Sequence, residues 1–259
     1  MNQPRPVVSI VLPVFNERPS LASLIEELGT VFAGTPHEIV AVDDGSTDGS
    51  LEELLRLSNG SPALRVFSLE RNRGQSAAFA AGFDAARGEF ILTMDADGQN
   101  APEDGLRLLQ AVRGPGSPTV AVGYRVPRVD GWWKRVQSRV ANAARDVITG
   151  DRVRDTGCSL KVMPRAALRR IARFDGMHRF LATLLRLAGE DVVEMAVSHR
   201  PRRHGRSKYR MWGRVGVGLR DALGVRWYRQ RRLDYQAREV GPRGRQKPDE
   251  PLPPGESLG

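Results

Sequence analysis

The stretch "EFILTMDADGQ", residues 89–99, is an apolar run that ends in two carboxylates, Asp95 and Asp97. Its hydrophobicity is continuous rather than alternating, which is typical of a strand buried on both faces, as in a parallel sheet. Four further short runs share this pattern, and they lie at residues 7–13, 38–44, 63–69 and 119–125. The sequence therefore predicts at least five buried strands in its first half.

Helical patterns separate these strands, at about residues 20–33, 47–58, 75–87 and 102–113. The alternation of strand and helix predicts an α/β fold with a doubly wound, mostly parallel sheet flanked by helices. Residues 132–148 and 165–188 are predicted to be further helices, on either side of the irregular stretch "DTGCSLKV".

The length of 259 residues fits one α/β domain with an appendage. We expect the domain at residues 1–208, a basic amphipathic helix at 209–235 and a disordered tail at 236–259, where Pro, Gly and charged residues dominate. The first residues lack the pattern of a signal peptide, and no run of 18 apolar residues predicts a membrane span. The single cysteine, Cys158, excludes an internal disulfide and fits a reducing compartment. It is predicted to be a buried side chain, with a nucleophile as the alternative.

The net charge of +10 is concentrated in one segment. Residues 200–232 contain twelve Arg or Lys and one acid, Asp221, whereas the rest of the chain has 28 basic and 29 acidic residues. A local basic segment fits either an anionic membrane surface or nucleic acid. A nucleic-acid binder would leave the acidic strand ends without a purpose, so we expect no nucleic acid partner.

Carboxylates one residue apart at a strand end suit Mg²⁺ or Mn²⁺, which take a few oxygen ligands from a protein and others from phosphates. A second acidic cluster, "DDGSTDGS" at residues 43–50, ends another predicted strand, and the carboxyl ends of parallel strands share one edge of the sheet. The alternative is that both clusters are surface turns whose acids and hydroxyls cap the following helices.

The motifs occur in the order found in family 2 glycosyltransferases of the GT-A fold, and the chain most resembles their polyprenyl-phosphate sugar transferase group. The resemblance covers about residues 7–210 and is carried by "VSIVLPVFNE", "VDDGSTDGS", "NRGQSAAFAAGFDAARG", "MDADGQ", "GYR", "DTGCSLKVMPR", "MHRF" and "HRPRRHGRSKY". A dehydrogenase is disfavoured, because no GxGxxG follows the first strand.

The resemblance implies a set of site residues. The nucleotide pocket would be lined by Pro13, Phe15, Glu17, Val42 and Asp44, and the metal and donor diphosphate would be held by Asp95, Ala96, Asp97 and Gln99. Arg125 of "GYR" would face the donor phosphates, and Arg202 and Lys208 would bind phosphate groups from the other side. Mannosyltransferases of the group usually read "SGFR" where this chain has "TGCS", so the sugar stays open.

These residues predict transfer from a nucleotide sugar to a polyprenyl phosphate, with Mg²⁺ or Mn²⁺ as cofactor. A lipid phosphate is already anionic at neutral pH and needs cations rather than a base. If the acceptor is instead a sugar hydroxyl, Asp155 is the candidate base, and a turn cap is its alternative role. The sequence offers no obvious covalent nucleophile, which predicts inversion at the anomeric carbon. His178 and His199 lie in family-like motifs, but a structural role is expected for each.

The segment at residues 209–232 predicts a helix in the membrane interface. Its apolar residues Trp212, Val215, Leu219, Ala222 and Leu223 are predicted to share one face, opposite Arg210, Arg214 and Arg232. Tryptophan anchors at headgroups, and each arginine near anionic lipid contributes about 1 kcal/mol. We therefore expect a cytoplasmic protein bound peripherally at the inner face of the cell membrane. The alternative is a helix that packs on the domain and exposes its arginines to water. The sequence predicts no oligomeric state.

Overall fold

The computed structural model of the protein describes residues 5–125, 150–151, 153–201 and 211–233, with backbone alone for 211–219. The predicted helix at 132–148 and the predicted tail at 236–259 lie outside the described residues. The strands are β1 (Val8–Val14), β2 (His37–Asp43), β3 (Leu64–Ser68), β4 (Phe90–Thr93), β5 (Val120–Arg125), β6 (Lys161–Pro164) and β7 (Val192–Val197). The helices are α1 (Arg18–Val31), α2 (Ser50–Ser58), α3 (Gln75–Ala85), α4 (Pro102–Ala111), α5 (Leu181–Leu187) and α6 (Met211–Arg231), with 3₁₀ helices at Arg165–Arg170 and Met177–Arg179.

The five predicted strands and the four helices between them are confirmed, and most of their ends fall within two residues of the predicted ones. The exception is α2, which begins at Ser50 rather than near residue 47. The residues before it are held in contacts with another loop, described below. The predicted helix at 165–188 is instead two 3₁₀ helices and the short helix α5.

The seven strands form one sheet in the order β3-β2-β1-β4-β6-β5-β7. Among the described strands only β6 runs antiparallel to its neighbours, β4 and β5, and the other pairs are parallel. The sequence analysis missed β6 and β7. The four residues of β6 begin with Lys161 and end with Pro164, so the apolar run between them is too short to detect, and the strand forms by pairing with β4 and β5.

Two apolar cores cover the two faces of the sheet. Leu21, Leu28, Leu54 and Leu108 place α1, α2 and α4 on one face, and Phe79, Phe83, Leu184 and Val225 place α3, α5 and α6 on the other. In α3, a Cβ at Gly82 would lie 2.3 Å from Val11 Cγ1 of β1. This close contact explains why the middle of α3 is rich in Gly and Ala.

A buried carboxylate, Glu38, joins the strands at the amino edge of the sheet. It accepts hydrogen bonds from Ser9 Oγ at 2.6 Å, the Arg87 backbone N–H at 2.6 Å and Arg65 Nη1 at 2.7 Å. Burial alone would raise the pKa of Glu38, but these donors and the Arg65 charge outweigh burial and lower it. Since Ser9 Oγ also accepts the Gly88 N–H at 2.8 Å, the network ties β1, β2 and the segment before β4 together.

The described half of α6 splits its apolar residues between the core and the surface. Ala222 and Val225 are buried, whereas Leu223 is 52% and Trp227 65% exposed. The prediction that Ala222 and Leu223 share one face is therefore wrong, because consecutive helical residues differ by about 100° in direction. Among the helices that the structure describes, none has the length and apolarity needed to cross a membrane.

Candidate active site

The loops after β1 and β2 meet at the carboxyl edge of the sheet and are cross-linked. The hydrogen bonds between them run from Asn16 N–H to Ser46 Oγ at 2.9 Å, Glu17 N–H to Ser50 Oγ at 3.0 Å, Arg18 N–H to Asp48 Oδ2 at 3.2 Å and Thr47 N–H to Asn16 Oδ1 at 2.7 Å. Asn16 adopts a left-handed backbone with φ of 55°. The hydroxyls and the carboxylate of "GSTDGS" thus hold the neighbouring loop in place, in addition to supporting α2.

Asp44 follows β2 and fixes the start of α3. Its carboxylate accepts the backbone N–H groups of Arg73 at 2.7 Å and Gly74 at 2.9 Å. Burial raises the pKa of Asp44 and the charge of Asp43 adds to this rise, while the two N–H groups oppose it. Like charges therefore do gather at this strand end, with backbone donors as partial compensation.

The other predicted nucleotide-pocket residues lie near Asp44. Pro13 pairs with Val42 across β1 and β2, and Val42 is fully buried in the core. Phe15 and Glu17 are partly buried in the cross-linked β1 loop. The structure thus brings the predicted pocket residues to one edge, where Val42 itself is buried beneath the partly buried Pro13, Phe15 and Glu17.

Asp95 and Asp97 follow β4 at the same edge. Gln75, the first residue of α3, donates its side-chain amide to Asp95 Oδ1 at 2.7 Å. Burial raises the pKa of Asp95, and the charge of Asp97 raises it further. Gly98 has φ of 73°, which favours glycine and allows the chain to turn directly after the second carboxylate. The two acids therefore lie close enough to repel each other.

Ala96 and Gln99 hold the same loop to the rest of the domain. The Ala96 carbonyl accepts Ser20 Oγ of α1 at 2.6 Å, and the Gln99 backbone N–H donates to Asp97 Oδ1 at 3.1 Å. The Gln99 side-chain amide lies 3.3 Å from His199 Nε2, and its backbone carbonyl accepts the Arg200 N–H at 2.9 Å. The segment after β7 is thus attached to the loop that carries Asp97.

Arg125, at the end of β5, forms a two-point ion pair with Asp155. Its Nε and Nη2 donate to Asp155 Oδ2 at 2.7 Å and Oδ1 at 2.9 Å, and its backbone N–H donates to the same carboxylate at 3.2 Å. Burial would raise the pKa of Asp155, but the hydrogen bonds and charge of Arg125 outweigh burial and lower it. Both residues were predicted to be catalytic, whereas their pairing was not.

Lys161, at the start of β6, is a site residue that sequence reasoning missed. It is 2% exposed, and its Nζ donates to the Cys158 carbonyl. Burial lowers the pKa of Lys161, and electrostatic interactions with Cys158, Asp95 and Asp155 oppose that change. A lysine within the apolar run of "SLKVMP" was the available signal. Gln75, at the start of α3, was missed as well.

The described histidines near the site have structural contacts. His178 is paired with Ser76 Oγ at 2.7 Å through Nδ1, and burial lowers the pKa of His178 to about 3. It is therefore neutral at pH 7, as its predicted structural role requires. The predicted acceptor residues Arg202 and Lys208 lie outside the described residues.

Asp95 and Asp97 fit a hard divalent cation as a two-carboxylate site. Among residues 5–125, 150–151, 153–201 and 211–233 there is no cluster of three or more His, Cys, Asp or Glu suited to a metal. Mg²⁺ and Mn²⁺ sites often use one or two carboxylates and complete their coordination with phosphate oxygens. Burial and the charge of Asp97 both disfavour the ionised form of Asp95, and a bound cation would favour that form.

Comparison with known proteins identifies the relatives of this chain. The dodecaprenyl-phosphate galacturonate synthase of Rhizobium johnstonii is 36% identical over 237 residues, which cover 89% of this chain and 68% of that protein. The undecaprenyl-phosphate 4-deoxy-4-formamido-L-arabinose transferase of Edwardsiella ictaluri is 37% identical over 208 residues, covering 78% and 62%. The chain thus spans about two thirds of the length of these relatives.

The fold matches that of a solved GT-A enzyme. Glucosyl-3-phosphoglycerate synthase from Mycobacterium tuberculosis, crystallised with Mn²⁺ and uridine-diphosphate-glucose, superimposes with a TM-score of 0.63 at 19% identity, covering 86% of this chain and 79% of that one. The sequence profile described as Glycosyl transferase family 2 matches residues 9–172. The predicted fold and family are confirmed, and the chain belongs to glycosyl transferase family 2.

Proposed function

We propose that this protein transfers a sugar from a nucleotide-sugar donor to a polyprenyl phosphate, with Mg²⁺ or Mn²⁺ and with inversion at the anomeric carbon. The observation that carries the proposal is the meeting of Asp95 and Asp97 with the Arg125–Asp155 pair at the carboxyl edge of a parallel sheet. The relatives named for polyprenyl-phosphate substrates support the acceptor class.

The donor site is built from both strand-end clusters. The cross-linked loops after β1 and β2 would receive the nucleotide, and Asp95 and Asp97 would hold the cation. When bound, that cation neutralises the donor diphosphate as the glycosidic bond breaks. Arg125 would stabilise the negative charge that develops on the diphosphate. The hydrogen bond to Asp155 holds the Arg125 guanidinium in a fixed orientation.

The ion pair and the lowered pKa of Asp155 favour a phosphate acceptor over a hydroxyl acceptor. A sugar hydroxyl needs a general base with a pKa near the working pH. The Asp155 carboxylate is engaged by Arg125 and the Gly157 N–H, and Arg125 lowers its pKa, so it is a weak base. An anionic phosphate needs only cations, which "RRHGRSK" supplies in the sequence at residues 202–208.

The exposed face of α6 supports attachment to an anionic membrane, which we place at the cytoplasmic side. Leu223 and Trp227 lie four residues apart on one helical face, and Arg220 and Arg231 extend the same side. Apolar and aromatic residues bordered by arginines match the headgroup region of anionic lipid.

Replacing Leu223 and Trp227 together with alanine tests this attachment. We expect binding to vesicles of phosphatidylglycerol and phosphatidylcholine to fall about tenfold in co-sedimentation, because roughly two anchoring side chains are lost. Leu55→Ala is the control, since Leu55 is 51% exposed on a different helix, α2, whose sequence also carries the acids Glu52 and Glu53. Unchanged sedimentation of the double variant would argue that α6 only packs on the domain.

The transfer itself is tested by incubating the protein with undecaprenyl phosphate, Mg²⁺ or Mn²⁺ and a panel of UDP-, GDP- and dTDP-sugars. The expected product is a lipid-linked sugar whose anomeric configuration, measured by NMR, is opposite to that of the donor. Transfer to a glycan hydroxyl without lipid-linked product would instead identify the second candidate, a hydroxyl-acceptor transferase.

A further inference from the structure

We propose that Lys161 is the internal counter-cation of the site, a positioning residue that sets the balance between metal binding and diphosphate binding. Lys161 opens β6 and pairs with Thr93, the last residue of β4, two residues before Asp95. Its side chain is 2% exposed, so its charge is directed into the protein rather than to solvent. The inference deepens the proposed function and rests on it.

The loop before β6 is built around this lysine. The Nζ donates to the Cys158 carbonyl, and Thr93 Oγ1 donates to the Ser159 carbonyl at 2.5 Å. The same loop begins with Asp155, which accepts two hydrogen bonds from the Arg125 side chain. Residues 155–161 therefore enclose a buried positive charge beside the predicted metal ligands.

The charges at this edge can be counted. Asp95 and Asp155 each interact electrostatically with both Arg125 and Lys161, and Asp97 interacts with Asp95. The site therefore contains three carboxylates and two cations. The cluster thus has a net charge of −1 when all are ionised. A divalent cation would change this to +1, which suits the multiply charged diphosphate of a nucleotide sugar.

Removing the lysine charge should change the affinities for the cation and for the diphosphate in opposite directions. The cluster would become −2 without metal, so a cation would bind more tightly. With metal bound it would be neutral, so the diphosphate would bind more weakly. If Lys161 merely supported the fold, its replacement would weaken the binding of both ligands. Changes of opposite sign therefore distinguish the two roles.

The test measures binding of Mn²⁺ alone, by EPR of the free ion, and of UDP, GDP and dTDP at saturating Mn²⁺, by calorimetry. For Lys161→Met we expect the Kd for Mn²⁺ to fall and the Kd for the nucleoside diphosphate to rise, each by at least about tenfold, since tenfold is roughly the effect of one unit charge on another at about 10 Å and both ligands carry more than one charge. Lys161→Arg should retain both affinities. Arg113→Met, which removes one exposed charge at the far end of α4, is the matched control and should change neither.

Lys161→Gln separates charge from hydrogen bonding, because its amide can still donate to the Cys158 carbonyl. It should show the same opposite shifts as Lys161→Met, and thermal unfolding verifies that each variant is folded. Equal weakening of both ligands, or no change, would overturn the proposal, and so would unfolding of both neutral variants, since the charge would then serve the whole fold. If the unmodified protein binds neither Mn²⁺ nor any of the three nucleotides, it is the proposed function that fails.

Discussion

The two edges of the sheet bury carboxylates in opposite ways. At the amino edge, Glu38 accepts three strong hydrogen bonds and its pKa is lowered. At the carboxyl edge, Asp95 accepts hydrogen bonds from Gln75 and Ser159, yet burial and the like charge of Asp97 leave its pKa raised. The partners of Glu38 favour its ionised form and stabilise the fold, whereas ionisation of Asp95 is disfavoured unless a cation binds beside it. Perturbed groups of the second kind are typical of functional sites.

The largest expected effect is at the carboxyl edge. Asp97→Ala should reduce formation of lipid-linked sugar by about a thousandfold, the rate equivalent of the several kcal/mol that a bound cation contributes. Its thermal unfolding should stay near that of the unmodified protein. Asp84→Ala is the control, because Asp84 is an exposed acid of α3 paired with Arg173. Near-normal turnover of the Asp97 variant would remove Asp97 from the metal site.

A substitution at the amino edge should change the stability of the protein rather than its rate of turnover. Glu38→Gln removes the charge that Arg65 and two further donors satisfy, so we expect the free energy of unfolding in urea to fall by about 2 kcal/mol. Turnover per folded molecule should not change. Glu26→Gln, on the exposed side of α1, is the matched control. A loss of turnover at unchanged stability would contradict the division of roles between the edges.

The pH dependence of the Glu38 contribution follows from its lowered pKa. The contribution is fully present above the ordinary value of 4.5 and is lost as the pH falls through the lower folded value. The stability difference between the unmodified protein and Glu38→Gln should therefore shrink in urea titrations below about pH 4. A difference that persists unchanged into stronger acid would show that packing, not charge, accounts for it.

The smallest expected change in stability is at Asp95, and its sign is opposite to that at Glu38. The raised pKa of Asp95 means that its ionisation opposes folding: its favourable contribution is present below the ordinary value of 3.8 and is lost as the pH rises through the folded pKa. Asp95→Asn should therefore raise the stability of the metal-free protein at pH 7 by about 1 kcal/mol, while turnover is lost. Urea unfolding in EDTA measures this, and a destabilised variant would refute the contrast between the two edges.

Sequence reasoning found the parts of the site whose signal is local. Asp44, Asp95 and Asp97 stand directly after continuous apolar runs, and such runs predict buried strands without any knowledge of partners. It missed Lys161 because the strand that carries it is short and forms by antiparallel pairing with β4 and β5, which are distant in the sequence. It identified both Arg125 and Asp155 but not their ion pair, since the contact joins residues 30 apart in the chain.

The "DDGSTDGS" cluster likewise has a local contact that the sequence predicts and long-range contacts that it does not. A cap for α2 was the local alternative, and Asp48 supplies part of it by accepting the backbone N–H of Ser50, the first residue of α2, at 3.0 Å. Ser46, Asp48 and Ser50 also bind backbone N–H groups of the β1 loop, about 30 residues away. Spacing within the motif carries no information about such partners.

The cross-links between the loops after β1 and β2 have a consequence for the entropy of binding. A flexible loop that must be ordered around a ligand loses conformational freedom, and this loss reduces affinity. Here four hydrogen bonds already fix the backbone from Asn16 to Arg18 against residues 46–50. A nucleotide arriving at these loops would meet a surface that is rigid before it binds, so little of the binding enthalpy would be offset by ordering the protein.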